Sequence, residues 1–437
     1  MSSLKKNKII FEILLLIVFQ NFSLAQGTWE RLNSPTNENL SSVYFVDSLY
    51  GWAAGFSGTI IHTTNCGEDW IIQDSKTEKN IRDIFFLNRN LGWAVYWEDS
   101  NYPFGTFVLK TTNGGKNWIR SSEPEEKIFS QCITFTDSLN GWMGGKPYPI
   151  LRTTDGGDTW KEAVIDSSNF STLPVFDIKF YNDKYGYACG GVVDCCGIMW
   201  WTNNGGDFWY VIDTPSVALD PINQLHLIDS INVLGVGGDF ESLGYGVELV
   251  RTSNGGLNWN FEQIGITGAA WDIDFRTGKE AWAPLGGEGK LIYSLDSGKT
   301  WSQIFSPDSV SIFKLTFPDS LRGIGVGNGG AIIKYKPNST SSVVKEQFLV
   351  TNYELEQNYP NPFNPTTTIS YSIPKNEFIK LAIYNLLGEE IKVLINQFQL
   401  SGDHQVYFNS HELSGGVYFY TLKTSDYMST KKMILMK

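Results

Sequence analysis

The sequence predicts an all-β protein made of a seven-bladed β-propeller and a small C-terminal immunoglobulin-like β-sandwich. Three observations predict this fold: one octapeptide recurs six times, a strand near the N-terminus completes a seventh repeat, and six short strand patterns follow near the C-terminus. The composition agrees, because 15 Trp, 20 Tyr, 27 Phe and 43 Gly with only 18% charged residues favour short strands and tight turns.

The N-terminal segment, residues 1–25, is predicted to be a cleaved signal peptide. Three lysines precede an apolar run from Ile9 to Phe19, and Ser23-Leu24-Ala25 supplies small residues at the cleavage site. An apolar run of about 11 residues is too short to cross roughly 30 Å of hydrocarbon. We therefore expect Gln26 to begin the mature chain, and we expect no transmembrane segment after it.

The octapeptide has the pattern [ST]-x-[DN]-x-G-x-x-W, and its closing tryptophans are 48, 42, 49, 50 and 42 residues apart. That spacing is the size of one four-stranded propeller blade. Asp or Asn caps a turn, Gly takes a positive φ and Trp packs between neighbouring blades, so we assign these positions to structure. They are Asn65 and Trp70, Asn113 and Trp118, Asp155 and Trp160, Asn204 and Trp209, Asn254 and Trp259, and Asp296 and Trp301.

The seventh repeat begins at Ile312 and stops at Tyr335, without an octapeptide or a fourth strand. A strand pattern at Gly27–Leu32 precedes the first full repeat. Pairing this clasp strand with the last repeat would close the ring and remove exposed sheet edges. The propeller is therefore expected to span residues 26–337.

The octapeptide resembles the Asp-box of bacterial neuraminidase-type repeats, also called BNR repeats. Together with the Gly51-Trp52-Ala53 strand and its counterparts, residues 27–337 look like the propeller of photosystem II assembly and stability factors. The resemblance implies the fold and says little about activity, because propellers host both enzymes and binding proteins. Four of the six octapeptides carry Asn where the family has Asp, so a shared metal role is not expected.

A ring of residues near the start of the seven inner strands is polar in six blades. It consists of Ser42, Asp83, Cys132, Asp177, Gln224, Asp272 and Lys314. Because inner strands begin at the mouth of the central channel, we expect this ring to face the channel. Either its carboxylates are solvated by channel water, or the ring binds a cation or a polar ligand. The candidate ligand-binding residues are Asp83, Asp177, Gln224, Asp272 and Lys314.

Three enlarged connections between second and third strands should open on the same face. They are Trp97–Gly105, Gly190–Gly197 and Asp239–Gly246. Aromatic rings can stack on a ligand and carboxylates can accept hydrogen bonds, which suits recognition of a glycan or a peptide. The candidate ligand-binding residues in the loops are Trp97, Tyr102, Asp239 and Tyr245.

Three of the five cysteines cluster in blade four. In an oxidising compartment, a disulfide from Cys189 to either Cys195 or Cys196 would brace the enlarged connection. Only four histidines exist and none lies in this cluster, so neither a metal nor another cofactor is expected.

The C-terminal part begins after a predicted linker, residues 338–350, and spans residues 351–437. Strand patterns occur at residues 367–373, 379–384, 390–394, 402–408, 416–423 and 428–435, which suggests a small sandwich. The segment resembles the type A C-terminal sorting domain of the type IX secretion system of Bacteroidetes. The matching pieces are Asn358–Pro365, Tyr384–Gly388, Leu413–Tyr418 and Lys431-Lys432. The resemblance implies binding to the secretion machinery and export through the periplasm to the cell surface or medium.

These features favour a secreted or surface-attached, non-catalytic binding or assembly module with an extracellular glycan or protein ligand. A net charge of -12 excludes nucleic acid as an expected partner, because nucleic-acid binding depends on Lys and Arg. The alternative is an Asp-box glycoside hydrolase. A sialidase site needs three convergent arginines, and only Arg82 lies near the start of an inner strand; a xyloglucanase cleft needs two propellers. No catalytic residue is therefore assigned.

Overall fold

The computed structural model describes residues 27–100, 102–120, 125–166, 172–212, 218–239, 246–338, 353–358, 360–375, 377–399, 402–410 and 413–436. The predicted signal peptide, Tyr245 and residues 339–350 of the predicted linker lie outside the described residues. Within the described ranges, no helix has the length and apolar character needed to cross a membrane.

The described residues of the propeller form 29 strands. Those of the first half are β1 (Thr28–Leu32), β2 (Leu40–Phe45), β3 (Gly51–Gly55), β4 (Ile60–Thr63), β5 (Ile71–Gln73), β6 (Ile81–Phe86), β7 (Gly92–Glu98), β8 (Gly105–Thr111), β9 (Ile119–Arg120), β10 (Ile128–Phe135), β11 (Gly141–Pro147), β12 (Ile150–Thr153), β13 (Lys161–Glu162) and β14 (Val164–Ile165). Those of the second half are β15 (Val175–Phe180), β16 (Gly186–Val192), β17 (Cys196–Thr202), β18 (Phe208–Val211), β19 (Ile222–Leu227), β20 (Val233–Gly238), β21 (Gly246–Thr252), β22 (Asn260–Thr267), β23 (Asp274–Phe275), β24 (Ala281–Pro284), β25 (Lys290–Ser294), β26 (Ser302–Phe305), β27 (Ile312–Asp319), β28 (Arg322–Gly327) and β29 (Ile332–Lys336). Three short 3₁₀ turns interrupt the loops, at Phe56–Gly58, Pro307–Ser309 and Asn328–Gly330.

These strands form seven antiparallel sheets, which confirms the predicted propeller fold. Blades one to six follow chain order, and β14 adds a short parallel strand to the outer edge of blade four. Blade seven has the order β1-β29-β28-β27, with Thr28 opposite Lys336 and Leu32 opposite Ile332. The clasp strand therefore supplies the fourth strand of the last blade, as predicted.

Large aromatic side chains fill the space between neighbouring blades. The tryptophan of a second strand stacks on the phenylalanine that ends the next inner strand, as Trp52 does on Phe86 with ring centroids 3.6 Å apart. The octapeptide Trp118 meets the other side of Phe86 edge-on at 5.7 Å. Phe86 is thus held between two indoles, and Phe135 and Phe180 are held in the same way at the next two blade interfaces.

The octapeptide forms the same turn in all six blades. In blade one, the Thr63 hydroxyl donates to Asn65 Oδ1 at 2.9 Å and accepts the Gly67 N–H, while Asn65 Oδ1 accepts the Asp69 N–H. Gly67 has φ +76°, a backbone conformation that other residues rarely adopt and that glycine adopts without a steric clash. One side-chain oxygen makes the bonds common to all six turns, so Asn can replace Asp, while in Asp155 and Asp296 the second oxygen accepts a further hydrogen bond from a Thr hydroxyl.

We expect Asp155→Ala to lower the free energy of unfolding by about 1–2 kcal/mol, because the hydrogen bonds to that carboxylate are lost. Asp155→Asn should cost less than about 0.5 kcal/mol at pH 7, because Asn holds the equivalent turn in four other blades. Urea unfolding followed by tryptophan fluorescence measures both values. All 15 Trp precede residue 302, so the signal reports the propeller alone.

The same pair of variants separates the charge of Asp155 from its hydrogen bonds. Although burial opposes it, hydrogen bonds from Thr159 and Thr153 lower the pKa of Asp155 to about 2. A lowered pKa stabilises the fold above the unfolded value of about 3.9, and this contribution is lost as the pH falls toward 2. The wild type should therefore lose more stability between pH 4 and pH 2 than Asp155→Asn; equal losses would contradict this assignment.

The C-terminal part contains β30 (Glu354–Leu355), β31 (Thr366–Ile373), β32 (Glu377–Tyr384), β33 (Glu390–Gln399), β34 (Gly402–Asn409), β35 (Gly416–Lys423) and β36 (Met428–Leu435). One sheet has the order β30-β31-β34 and the other β33-β32-β35-β36. Ile369, Leu381 and Tyr420 are buried among the residues of their shared core. This arrangement confirms the predicted sandwich.

Candidate functional site

All inner strands begin on one face of the propeller, which we call the channel-mouth face. In blade one, Leu40 at the start of β2 pairs with Gly55 at the end of β3. The connection from β3 to β4 therefore lies on this face, whereas the octapeptide turn Thr63–Trp70 lies on the opposite one. The predicted ring and the enlarged connections thus share one face.

The ring carboxylates bond to the neighbouring blades. Each accepts a backbone N–H from the next inner strand: Asp83 from Ile133 at 2.9 Å, Asp177 from Leu225 at 3.0 Å, and Asp272 from Leu315 at 2.8 Å. Ser42 also donates to Asp83 at 2.7 Å. Asp177 and Asp272 are only 6% and 4% exposed. These hydrogen bonds connect blades two, four and six to the blade that follows, and solvation of the carboxylates by channel water stays a prediction.

Lys314 places the only ring cation among these carboxylates. Its Nζ donates to the amide oxygen of Gln224 across the channel and lies 3.8 Å from Asp272 Oδ1. Burial disfavours the charged amine, but the negative charges of Asp272, Asp177 and Asp83 together raise the pKa of Lys314. Ligand binding by the ring stays a prediction, and a ligand would have to displace these internal bonds.

A second polar layer lies two residues further along the inner strands. Asp274 Oδ1 is 3.4 Å from His226 Nδ1, and its Oδ2 accepts the Phe317 N–H at 2.7 Å. Lys179 completes the layer by donating to the Leu225 carbonyl at 2.6 Å. Burial would raise the pKa of Asp274, but the hydrogen bond and charge of His226 lower it. The sequence could have revealed this layer, because its residues lie two positions after Asp177, Gln224 and Asp272 of the predicted ring.

A β-bulge sits at the start of six inner strands, immediately before the ring residue. The bulged residues are Ser41, Arg82, Gln131, Phe176, Asn223 and Phe313. An extra residue in one strand turns its side chain out of the regular alternation. The bulge therefore adds half-buried side chains to the channel-mouth face, and no residue pattern in the sequence marks it.

Arg82 and Trp97 line an open polar pocket on this face. The Arg82 guanidinium lies 3.9 Å from the centre of the Trp97 ring, and the Trp97 indole N–H donates to the Ser130 carbonyl at 2.5 Å. The Arg82 Nε–H is buried and meets no acceptor among the described residues. Burial lowers the pKa of Arg82, whereas the negative charge of Asp99 acts to raise it. A pocket of about 160 Å³ adjoins the pair, lined by Glu78, Lys79, Asn80, Arg82, Trp97 and Asp99.

The predicted loop residues have different positions. Tyr102 is 80% exposed and packs edge-on against Phe104 in the connection from β7 to β8. Asp239 is buried, whereas Tyr245 is outside the described residues. The predicted enlargement in blade four is wrong: β16 and β17 extend to Val192 and Cys196 and leave a turn of three residues between them.

Three carboxylates meet where blades four and five adjoin. Oxygens of Asp194, Asp220 and Asp239 lie within 4.8 Å of one another, and the Asp194 N–H donates to Asp220 Oδ1 at 3.0 Å. Burial raises the pKa of Asp220, and the charges of Asp239 and Asp194 add to this effect. Oxygen ligands at this spacing could hold a hard cation. Asp220 was not singled out from the sequence, because only the fold brings it beside the other two.

The strand register contradicts the predicted disulfide from Cys189. Cys189 on β16 lies opposite Met199 on β17, and Met199 is three residues away from Cys196 along β17. Side chains alternate between the two faces of a sheet, so the two thiols point to opposite faces. Cys189 packs toward blade five, whereas Cys196 packs toward blade three. The backbone separation of about 10 Å along the strand also exceeds the reach of a disulfide.

Comparison with known proteins confirms the resemblance to the C-terminal sorting domain and the resemblance to photosystem II assembly factors. Residues 357–436 match the family described as the secretion system C-terminal sorting domain, which indicates export through the type IX system. The propeller is similar to the photosystem II stability/assembly factor HCF136 of Arabidopsis thaliana, with 25% identity over 290 residues that cover 52% of this chain and 70% of that protein.

Solved structures show the same architecture. The chain is similar to YCF48 bound to D1 peptide, with a TM-score of 0.56 and 19% identity over 72% of this chain and 99% of that one. It is also similar to the GH74 enzyme of Niastella koreensis, with a TM-score of 0.54 and 10% identity over 92% of this chain and 74% of that one. At these identities the likeness shows the fold alone.

Proposed function

Because the chain carries a secretion system C-terminal sorting domain, we propose that it is an exported, non-catalytic propeller that binds a polypeptide on its channel-mouth face. The surface that contacts the ligand is centred on Arg82 and Trp97 in blade two. Tyr102 and Phe104 extend it toward the rim. The sorting domain engages the secretion machinery, and the propeller reaches the cell surface or the medium.

One observation carries this proposal: the Arg82 guanidinium stacks on Trp97 beside an open polar pocket and forms no ion pair within the described residues. Asp99 acts on the Arg82 charge without forming an ion pair with it, so a ligand carboxylate or carbonyl could still offset the cost of burying this cation. Trp and Arg are also the side chains that dominate protein-binding surfaces. Binding of a peptide by the structurally similar YCF48 supports a polypeptide rather than a glycan as the ligand.

The hydrolase alternative is supported by the fold likeness to a GH74 enzyme. Hydrolysis of a glycosidic bond needs two carboxyl groups that face the substrate at roughly 5 to 10 Å. Here Asp83, Asp177 and Asp272 each accept a backbone N–H from the next blade and share the charge of Lys314. Carboxylates already engaged in these hydrogen bonds and charge interactions favour a structural role for the ring.

The test is binding of the full chain to peptide and glycan arrays, followed by affinity measurements on the best ligand. We expect Arg82→Gln and Trp97→Ala each to weaken peptide binding at least about tenfold, which corresponds to about 1.4 kcal/mol. Thermal unfolding should show that both variants are folded. Arg120→Gln is the matched control, because Arg120 also stacks on a ring, Phe107, at 5.0 Å but lies on an outer strand.

Arg120→Gln should bind as the wild type does. Unchanged affinity in both Arg82→Gln and Trp97→Ala would move the site away from blade two and overturn the proposal. Release of reducing sugar from an arrayed polysaccharide, at a rate lowered by Asp83→Asn, would establish the hydrolase instead.

A further inference from the structure

Two adjacent cysteines at the tip of blade four lie with their sulfur atoms in unusually close contact. Cys195 Sγ and Cys196 Sγ are 2.7 Å apart, nearer than sulfur atoms approach without a bond between them. Cys195 is exposed and Cys196 is buried. We propose that Cys195 and Cys196 form a vicinal disulfide once the protein reaches an oxidising compartment.

The turn that carries the pair is held from two sides. Val192 pairs with Cys196 across the hairpin, and the Cys195 N–H donates to the Val192 carbonyl at 3.2 Å. Asp194 is bound to Asp220, and the Gly197 N–H donates to the Ala218 carbonyl at 3.2 Å. These contacts come from blade four and from the segment that leads into blade five. The sulfur contact is therefore a property of a fixed turn.

The other three cysteines are all buried. Cys66, Cys132 and Cys189 are 3%, 5% and 0% exposed. Cys66 lies in the octapeptide turn of blade one, and Cys189 lies in a different core cluster from Cys196. Cys132 shares the core cluster of Cys196, but its sulfur contacts the Gly144 carbonyl at 4.0 Å. Cys195 is thus the one exposed thiol among the five, and Cys196 is the thiol it touches.

The oxidation is a thiol–disulfide exchange with a disulfide reagent, either a small-molecule disulfide or the active-site disulfide of an oxidoreductase. The Cys195 thiolate attacks one sulfur of that disulfide, forms a mixed disulfide and releases one thiolate. The Cys196 thiolate then attacks Cys195 Sγ and releases the second thiolate. Two electrons pass to the reagent, which leaves as two thiols, and the cysteines lose two protons in total.

The bond should be easy to reduce. Adjacent Cα atoms are about 3.8 Å apart across a trans peptide, below the usual range of about 4.4–6.8 Å for disulfides. Strained disulfides have higher reduction potentials and tend to be the labile ones. The pair therefore gives the channel-mouth face of blade four two covalent states, an open dithiol and a rigid ring.

Mass spectrometry of the full chain tests the proposal. The protein is exposed to oxidised glutathione, unfolded, alkylated without reduction and cut before aspartate residues. The expected product is the peptide Asp194–Gly206 without alkyl groups and about 2 Da lighter than its dithiol form. When the sample is reduced before alkylation, the same peptide should carry two alkyl groups. Cys189 falls in the preceding peptide, so this cut separates the proposed bond from one to Cys189.

Two variants act as controls. In Cys195→Ser, Cys196 should be alkylated without reduction; in Cys189→Ser, the light peptide should persist. Two alkyl groups on Asp194–Gly206 after oxidation, a bond that joins Cys189 to either neighbour, or a dimer linked through Cys195 would each overturn the proposal. Equal ease of reduction with an ordinary structural disulfide would contradict the strain argument.

Discussion

Trp29→Ala should lower the free energy of unfolding of the propeller by about 3–5 kcal/mol, the cost of removing a large buried aromatic side chain. Trp29 is 8% exposed and is the anchor of the clasp strand. Its ring packs edge-on against Trp282 at 5.6 Å, Phe317 at 5.7 Å and Tyr335 at 5.4 Å. The substitution therefore weakens the contact that joins the two ends of the ring.

Chemical unfolding followed by tryptophan fluorescence measures this loss, because the sorting domain has no Trp. A second consequence is association between molecules, since an unpaired β29 edge can pair with another chain. Light scattering at increasing concentration should detect it. Trp29→Phe is the matched control and should lose much less, as an aromatic ring still fills the site. A loss below about 1 kcal/mol in Trp29→Ala would show that the clasp does not hold the ring closed.

Lys314→Met should lower the free energy of unfolding by about 3 kcal/mol at pH 7. Removing one partner of a buried charge pair leaves the other uncompensated, which typically costs about 3–5 kcal/mol. Lys314 is 26% exposed, so the low end of that range is expected. Burial already raises the pKa of Asp83 and of Asp272 in the presence of this cation.

The loss should depend on pH. A carboxyl group with a raised pKa in the folded state costs stability as the pH rises from the unfolded value of about 3.9. Without Lys314, that cost grows, so the variant should approach the wild type on acidification from pH 7 toward pH 4. In the wild type, the pKa of Lys314 is raised, so the stability that Lys314 contributes is fully present at neutral pH. This stability is lost as the pH rises above the unfolded value of about 10.4.

Two further variants locate the cause in the ring. Lys314→Met combined with Asp272→Asn should recover part of the lost stability at pH 7, because one uncompensated charge is removed. Lys127→Met breaks an exposed pair with Glu162 and should cost at most about 1 kcal/mol. A deficit in Lys314→Met that is constant from pH 4 to pH 7 would mean that packing, and not charge, explains it.

The sequence by itself determined the architecture. Six copies of one turn at blade spacing, and the strand at Gly27–Leu32 that completes the seventh blade, are signals carried by short segments. Such signals are readable because hydrophobic alternation and turn chemistry act over a few residues. The same local logic correctly grouped Asp83, Asp177, Gln224, Asp272 and Lys314, since equivalent positions in a repeat occupy equivalent places.

The tertiary structure decided what these residues contact. The bulge before six of the ring residues, the bond from Lys314 to Gln224 across the channel, and the placement of Asp220 beside Asp194 depend on segments far apart in the chain. The error over Cys189 has the same origin: the register of β16 against β17 sets which face a thiol occupies. A shift of one residue reverses that face, and strand register is fixed by packing between blades rather than by local composition.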